Sequence, residues 1–119
     1  MATRVAEDAL SASWLAVRLG MEPLRLEVMR RAGELIAYRP DGAHEHYYPL
    51  WQFDEEWRPL AIVPRLVREA RERGLSDNRL YEILTARSGL SAGRGRLADS
   101  LREGRDEHVL EAIRLARPE

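Results

Sequence analysis

Apolar positions along this chain fall into short helical periods, and the breaks between them hold the residues that start and stop helices. The run "LAVRLGMEPLRLEVMRRAGEL", Leu15 to Leu35, shows the pattern most clearly. A helix is predicted from about Trp14 to Leu19, capped by Ser11 or Ser13 and ended by Gly20. Pro23 suits the first turn of a second helix, where its missing N–H costs nothing. That helix carries Leu26, Met29 and the Arg30–Arg31 pair and is expected to end at Gly33. Residues 1–10 offer only Val5, Ala6 and Leu10 as apolar anchors among the positions that a helix could bury, and they read as a frayed or weakly helical lead-in.

The period then changes. "LIAYR" and "HEHYYPL" are extended runs separated by "PDGA", in which Pro presets φ and Gly supplies positive φ. A hairpin from Leu35 to Pro49 is the expectation, and it must pack on the helices because an isolated hairpin is marginal in water. Tyr38, Tyr47, Tyr48 and Trp51 could supply that packing. The connector "LWQFDEEWRPLAIVP" holds Trp51, Phe53 and Trp57, bulky residues that call for burial rather than for a flexible linker.

Beyond Pro64, Val63, Leu66, Val67 and Ala70 follow the i, i+3, i+4, i+7 spacing of a helix ended by Gly74. Arg65–Glu69, Arg68–Glu72 and Glu69–Arg73 are spaced to lace its outer face. Ser76 or Asp77 caps a helix burying Leu80, Ile83 and Leu84. "SGLSAGRG" is a loop, and a short helix near Leu97–Arg102 ends at Gly104. Asp106 then caps a last helix with Val109, Ala112, Ile113 and Ala116 on one side. The fold class expected is mainly α with one small β-hairpin: a winged helix-turn-helix over residues 1–52 and a bundle of about four helices over 53–119.

Composition narrows the possibilities further. The 119 residues include no Cys, which excludes a disulfide framework, a thiolate zinc site and a cysteine nucleophile. No apolar run approaches the roughly 18 residues that span a bilayer, and "MATRVAEDAL" is not a signal peptide, so a cytoplasmic protein without membrane contact is expected. All 19 basic residues are Arg, against 20 acidic ones, for a net charge of -1. That is not the basic footprint of a nucleic-acid binder, so any contact with DNA must come from locally grouped Arg and be steeply salt-dependent.

The order of turn glycine, second helix, closing Arg-Arg-x-Gly-x-Leu and hairpin over about residues 11–52 resembles the winged helix-turn-helix of MerR and excisionase proteins. The resemblance implies that the second helix enters the major groove of double-stranded DNA while a wing lies against the backbone. It assigns the base-facing side to Glu22, Leu24, Arg25 and Val28, of which Arg25 has the fork that matches guanine O6 and N7. Arg18, Arg30, Arg31 and Arg39 would hold phosphates. Glu22 and Glu27 oppose them, unless Glu22 accepts a bond from a cytosine amine.

A second resemblance covers about residues 47–117. "LADSLREGRDEHVLEAI" is similar to the toxin-binding domain of Xre/MbcA/ParS-type antitoxins, with Leu97, Leu101, Gly104 and Val109 as its framework. Leu97 or Ala98 stands where that family has a proline. The resemblance implies a non-catalytic antitoxin and transcriptional autoregulator that forms a homodimer and holds a cognate toxin, commonly of the RES type, through Leu97, Leu101, Arg102, Val109 and Arg114. For each leucine taken singly, plain core packing is the simpler role.

Other constellations carry less. His44 and His46 flank Glu45 as H-x-H on an expected strand without further ligands nearby, so no metal site is assigned. Asp54–Glu56 reads as a solvated turn rather than paired catalytic carboxylates, and His108 as a surface residue. "GLSAGRGR" lacks the Gly-Lys-Ser/Thr ending of a phosphate loop, although Gly93, Arg94, Gly95 and Arg96 could meet an anion at the next helix. No catalytic residue and no cofactor is assigned, and an enzyme is not expected. Two alternatives remain: a protein-interaction module in which the acidic helix-turn-helix meets protein, and a regulator with a small-molecule pocket lined by Trp51, Phe53 and Trp57.

Overall fold

The computed structural model describes residues 8–86 and 96–118, with Arg102 described by its backbone only. In chain order the elements are β1 (Ala9–Ser11), α1 (Ala12–Leu19), α2 (Pro23–Arg31), β2 (Tyr47–Pro49), a 3-10 turn at Leu50–Gln52, α3 (Val63–Glu72), α4 (Asp77–Thr85), a 3-10 helix at Leu97–Glu103, and α5 (Asp106–Leu115). The protein is mainly α with one small two-stranded antiparallel element, as its sequence implies. The loop expected at Ser88–Gly95 lies outside the described residues.

β1 pairs with β2 in the register Ala9–Pro49, Leu10–Tyr48 and Ser11–Tyr47. Residues 9–11 are therefore strand, not helical lead-in, and they give β2 the ladder partner assumed to lie at Leu35–Tyr38. The 38–47 turn is closed by a single bridge, with Tyr38 N donating to Tyr47 O at 3.0 Å and Tyr47 N to Tyr38 O at 2.7 Å. Leu35, Ile36 and Ala37 are all buried, so this stretch has no solvent face to alternate with and runs between two cores.

Those cores explain the architecture. The first gathers Leu15, Ala16, Leu26, Tyr48 and Phe53 with Leu35 and Ala37. The second gathers the inward faces of α3, α4, α5 and the 3-10 helix, together with Ile36. The period-2 alternation of an extended chain sends neighbouring side chains to opposite sides, so residues 35–37 stitch the two cores together. Gln52 completes the stitch. It is fully buried, its Oε1 accepts from Ile36 N at 2.7 Å, and its Nε2 donates to Ile36 O at 2.7 Å and Pro49 O at 3.1 Å. The side-chain amide thus takes the place of a neighbouring strand.

Local caps fix the helix ends. Ser11 Oγ accepts from Trp14 N at 3.3 Å, and the carboxylate of Glu45 accepts from Ser13 N at 3.0 Å and Ser13 Oγ at 2.8 Å. His46 O accepts from Ala12 N at 2.9 Å, so the first N–H groups of α1 are anchored to the 38–47 turn. His44 and Glu45 consequently lie in a turn rather than on a strand. Gly20, at φ 69°, ends α1 in the left-handed region.

Replacing Gln52 by Leu keeps the volume but leaves the Ile36 N–H and its carbonyl partners unpaired in the interior. Chemical denaturation is expected to show a loss of about 2–4 kcal/mol for Gln52→Leu, with both cores unfolding together.

Candidate nucleic-acid interface

α1 and α2 meet through the short Gly20–Glu22 turn, with Leu15, Ala16 and Leu26 facing inward. This leaves an outward side of α2 formed by Leu24, Arg25 and Val28, of which Leu24 is 71% and Val28 59% exposed. Glu22, Leu24, Arg25 and Val28 line a groove of about 710 Å³ together with Met21, Met29 and Glu34. Arg25 forms no ion pair among the described residues. Glu22 sits at the helix start without capping it through its side chain.

The other end of α2 is organised differently. Arg30 is not a surface cation: its side chain is only 14% exposed. Its guanidinium donates to Glu27 at 2.6 and 3.2 Å and to Asp77 of α4 at 3.1 Å. Arg31, largely exposed, adds a bond to Glu27 at 2.9 Å. These bonds, that from Arg30 foremost, hold the Glu27 carboxyl at about 2, against the opposing pull of burial. Arg30 was expected among the phosphate contacts; the structure instead spends its charge on two carboxylates. Glu27, expected to repel DNA, is neutralised by the same cluster.

Next to Asp77, Asn78 clamps the turn that carries Arg39. Its Oδ1 accepts from Arg39 N at 2.8 Å and its Nδ2 donates to Arg39 O at 2.9 Å. The first turn of α4 thus fixes both α2, through Asp77, and the 38–47 turn, through Asn78. Arg30, Arg31 and Arg39 line one polar groove of about 640 Å³ with Gly42 and His46. Burial lowers the His46 pKa, with the nearby Arg30 charge adding to the effect, so this imidazole is disfavoured as a cation. From α3, Arg71 donates to the carbonyls of Arg30 and Arg31, both at 2.9 Å, capping the end of α2. Gly33 is required beside it: φ is 83°, and a Cβ there would come within 3.2 Å of Arg71 Nη1.

Arg18 lies apart from both grooves' cations, its guanidinium 4.8 Å from the centre of the Trp57 ring. Trp57 adopts φ 63°, and Phe53 lies 5.8 Å from it. The three groups share a groove with Met21 and Met29. Of the residues expected to face DNA, the structure brings together Glu22, Leu24 and Arg25 at one end of α2 and Arg31 and Arg39 at the other.

The residues expected to meet a protein partner are placed less favourably. Leu101 and Val109 are in the second core, and Leu97 is half-buried against it. Apolar side chains at helical spacing serve the bundle itself, so Leu101 and Val109 present nothing to a partner. Arg114 is on the outer side of α5, 3.4 Å from Glu69 and 3.5 Å from Glu111. The side chain of Arg102 lies outside the described residues, as do Gly93, Arg94 and Gly95; Arg96 pairs with Asp8 at 2.9 Å and Asp99 at 3.2 Å. Among the described residues no group of three His, Asp or Glu converges on a possible metal position, and no helix is long and apolar enough to cross a membrane.

The Glu27 cluster sets a pH dependence. Its carboxyl lies near 2 in the folded chain and at 4.5 ordinarily, so the stabilisation is complete above about pH 4.5 and is lost as pH falls towards 2. Glu27→Gln is expected to cost about 1–2 kcal/mol at pH 7, allowing for solvent screening. The difference from the parent chain should shrink through that acid window in urea titrations at stepped pH.

No family model and no curated protein matches the chain. Its fold is similar to that in the NMR structure of Rv2175c, with a TM-score of 0.73 at 18% sequence identity, over 94% of this chain and 84% of that one. At that identity the likeness is one of fold.

Proposed function

We propose that this chain is a DNA-binding transcriptional regulator that reads double-stranded DNA with the outward side of α2 and rests its 38–47 turn on the phosphate backbone. The observation that carries the reading is the division of charge along α2. Glu27 and Asp77 are occupied by Arg30, while Arg25, between two exposed apolar side chains, has no ion pair among the described residues. An α-helix with its side chains is about 10–12 Å across and fits a major groove about 12 Å wide. Arg31 and Arg39 are the phosphate contacts this geometry favours; Arg18 is drawn towards Trp57. With an overall charge of -1, local compensation decides the matter: Glu27 and Asp77 are paired with Arg30, while Glu22 and Glu34 stay beside Arg25 in the groove and oppose phosphate.

The finer part of the proposal is an antitoxin role: a homodimer that represses its own promoter and holds a cognate, RES-like toxin through its C-terminal helices. The similarity of "LADSLREGRDEHVLEAI" to antitoxin domains supports it. With Leu101 and Val109 inside, the available surface is the outer side of α5, where Arg114 sits and Leu115 is 74% exposed. Co-purification with the product of the neighbouring reading frame tests this part. A second reading, a protein-binding module without DNA contact, is favoured by Trp14 and Val17 of α1, which are 68% and 74% exposed.

A gel-shift titration against the chain's own upstream DNA at two salt concentrations tests the main reading. Binding is expected to weaken steeply with salt. Arg25→Ala should lower affinity about 10- to 100-fold with no change in Tm. Arg30→Ala is expected to lose about 2–3 kcal/mol of stability instead, because it strands Glu27 and Asp77. Absence of binding at low salt, or binding indifferent to Arg25→Ala, contradicts the reading.

A further inference from the structure

We infer that Leu24 and Val28 read the C5-methyl groups of thymines beside a guanine held by Arg25, so that the DNA recognised is defined by methyl groups as much as by hydrogen bonds. The inference rests on the proposal that α2 enters the major groove. Both side chains are the exposed apolar residues of α2, whereas the other apolar residues of that helix, Leu26 and Met29, turn into the first core. They stand four residues apart, one helical turn, on the side of α2 that also presents Arg25. Leu24 and Val28 line the same groove as Arg25, with Met21 and Met29 also in its lining.

An apolar pair around an unpaired guanidinium suits an occupant that is both anionic and locally apolar. In the major groove the thymine methyl is the apolar feature, and guanine O6 and N7 are the acceptors that fit an Arg fork. One helical turn rises about 5.4 Å and successive base pairs about 3.4 Å, so Leu24 and Val28 span between one and two base-pair steps. The site read is therefore a guanine with thymines no more than about two base pairs away. Of the acids nearby, Glu27 is turned towards Arg30 and Arg31, whereas Glu22 and Glu34 line the groove with Arg25; a cytosine amine is the base-edge donor that a carboxylate such as that of Glu22 accepts from.

The test uses the full chain and duplexes that it selects from a random pool. Each thymine of a selected duplex is replaced in turn by deoxyuridine, which removes the methyl group and leaves the pairing unchanged. Loss of affinity of about fivefold is expected at one or two thymines near the essential guanine. Leu24→Ala and Val28→Ala should each abolish the difference between thymine and deoxyuridine at one of those positions, with unchanged Tm because both side chains are exposed. Selected duplexes bound equally well in both forms would overturn the inference while leaving DNA recognition intact. Failure to select any duplex would overturn the parent reading and this one together. If the two variants instead abolish binding to a protein partner and leave DNA affinity unchanged, the face belongs to that partner and the inference fails.

Discussion

The guanidinium of Arg30 is the contact on which the arrangement turns. It lies between Glu27 of its own helix and Asp77 of α4, 47 residues away in the chain, and is largely withdrawn from water. A charge placed there needs partners, because removing either carboxylate would leave an uncompensated ion in a half-buried site. Its satisfaction fixes α2 against the C-terminal bundle. It also decides the electrostatic character of the surface, since the cluster consumes two acids and leaves Arg25 outside it.

Around this contact the two cores are joined rather than merely adjacent. Residues 35–37 place Leu35 and Ala37 in one and Ile36 in the other, and Gln52 supplies the hydrogen bonds that a strand in that position would otherwise lack. Asn78 grips the turn bearing Arg39, and Arg71 caps α2 from α3. The bundle therefore sets the pose of every element proposed to face DNA. Through Asp77 and Asn78, α4 is thus in contact with both α2 and the 38–47 turn.

The helices were legible in the sequence because their signals are local. Ser11, Gly20, Pro23, Ser76 and Gly104 mark boundaries through capping and backbone geometry, and the spacing of Val63, Leu66, Val67 and Ala70 marks a buried face. The strand pairing was not, because β1 meets β2 across about forty residues and nothing in "DALS" announces its partner. The same limit applies to the site. Leu24 and Arg25 were singled out by the resemblance to winged helix-turn-helix proteins, and they are exposed on α2, but the withdrawal of Arg30 depends on Asp77, and the pinning of Arg39 on Asn78. Leu101 and Val109 show the converse: their spacing fits a bundle interior and a binding motif equally, and burial is what separates the two.

With Arg30 held within, the outward side of α2 is the surface proposed to meet DNA. Backbone-amide NMR of the labelled chain, titrated with a random-sequence duplex at low salt, tests it most directly. Shifts are expected to concentrate at Glu22 to Val28 and around Arg39, with the amides of α5 unmoved. Shifts confined to Trp14 and Val17 or to α5, or none at all, would contradict the proposal.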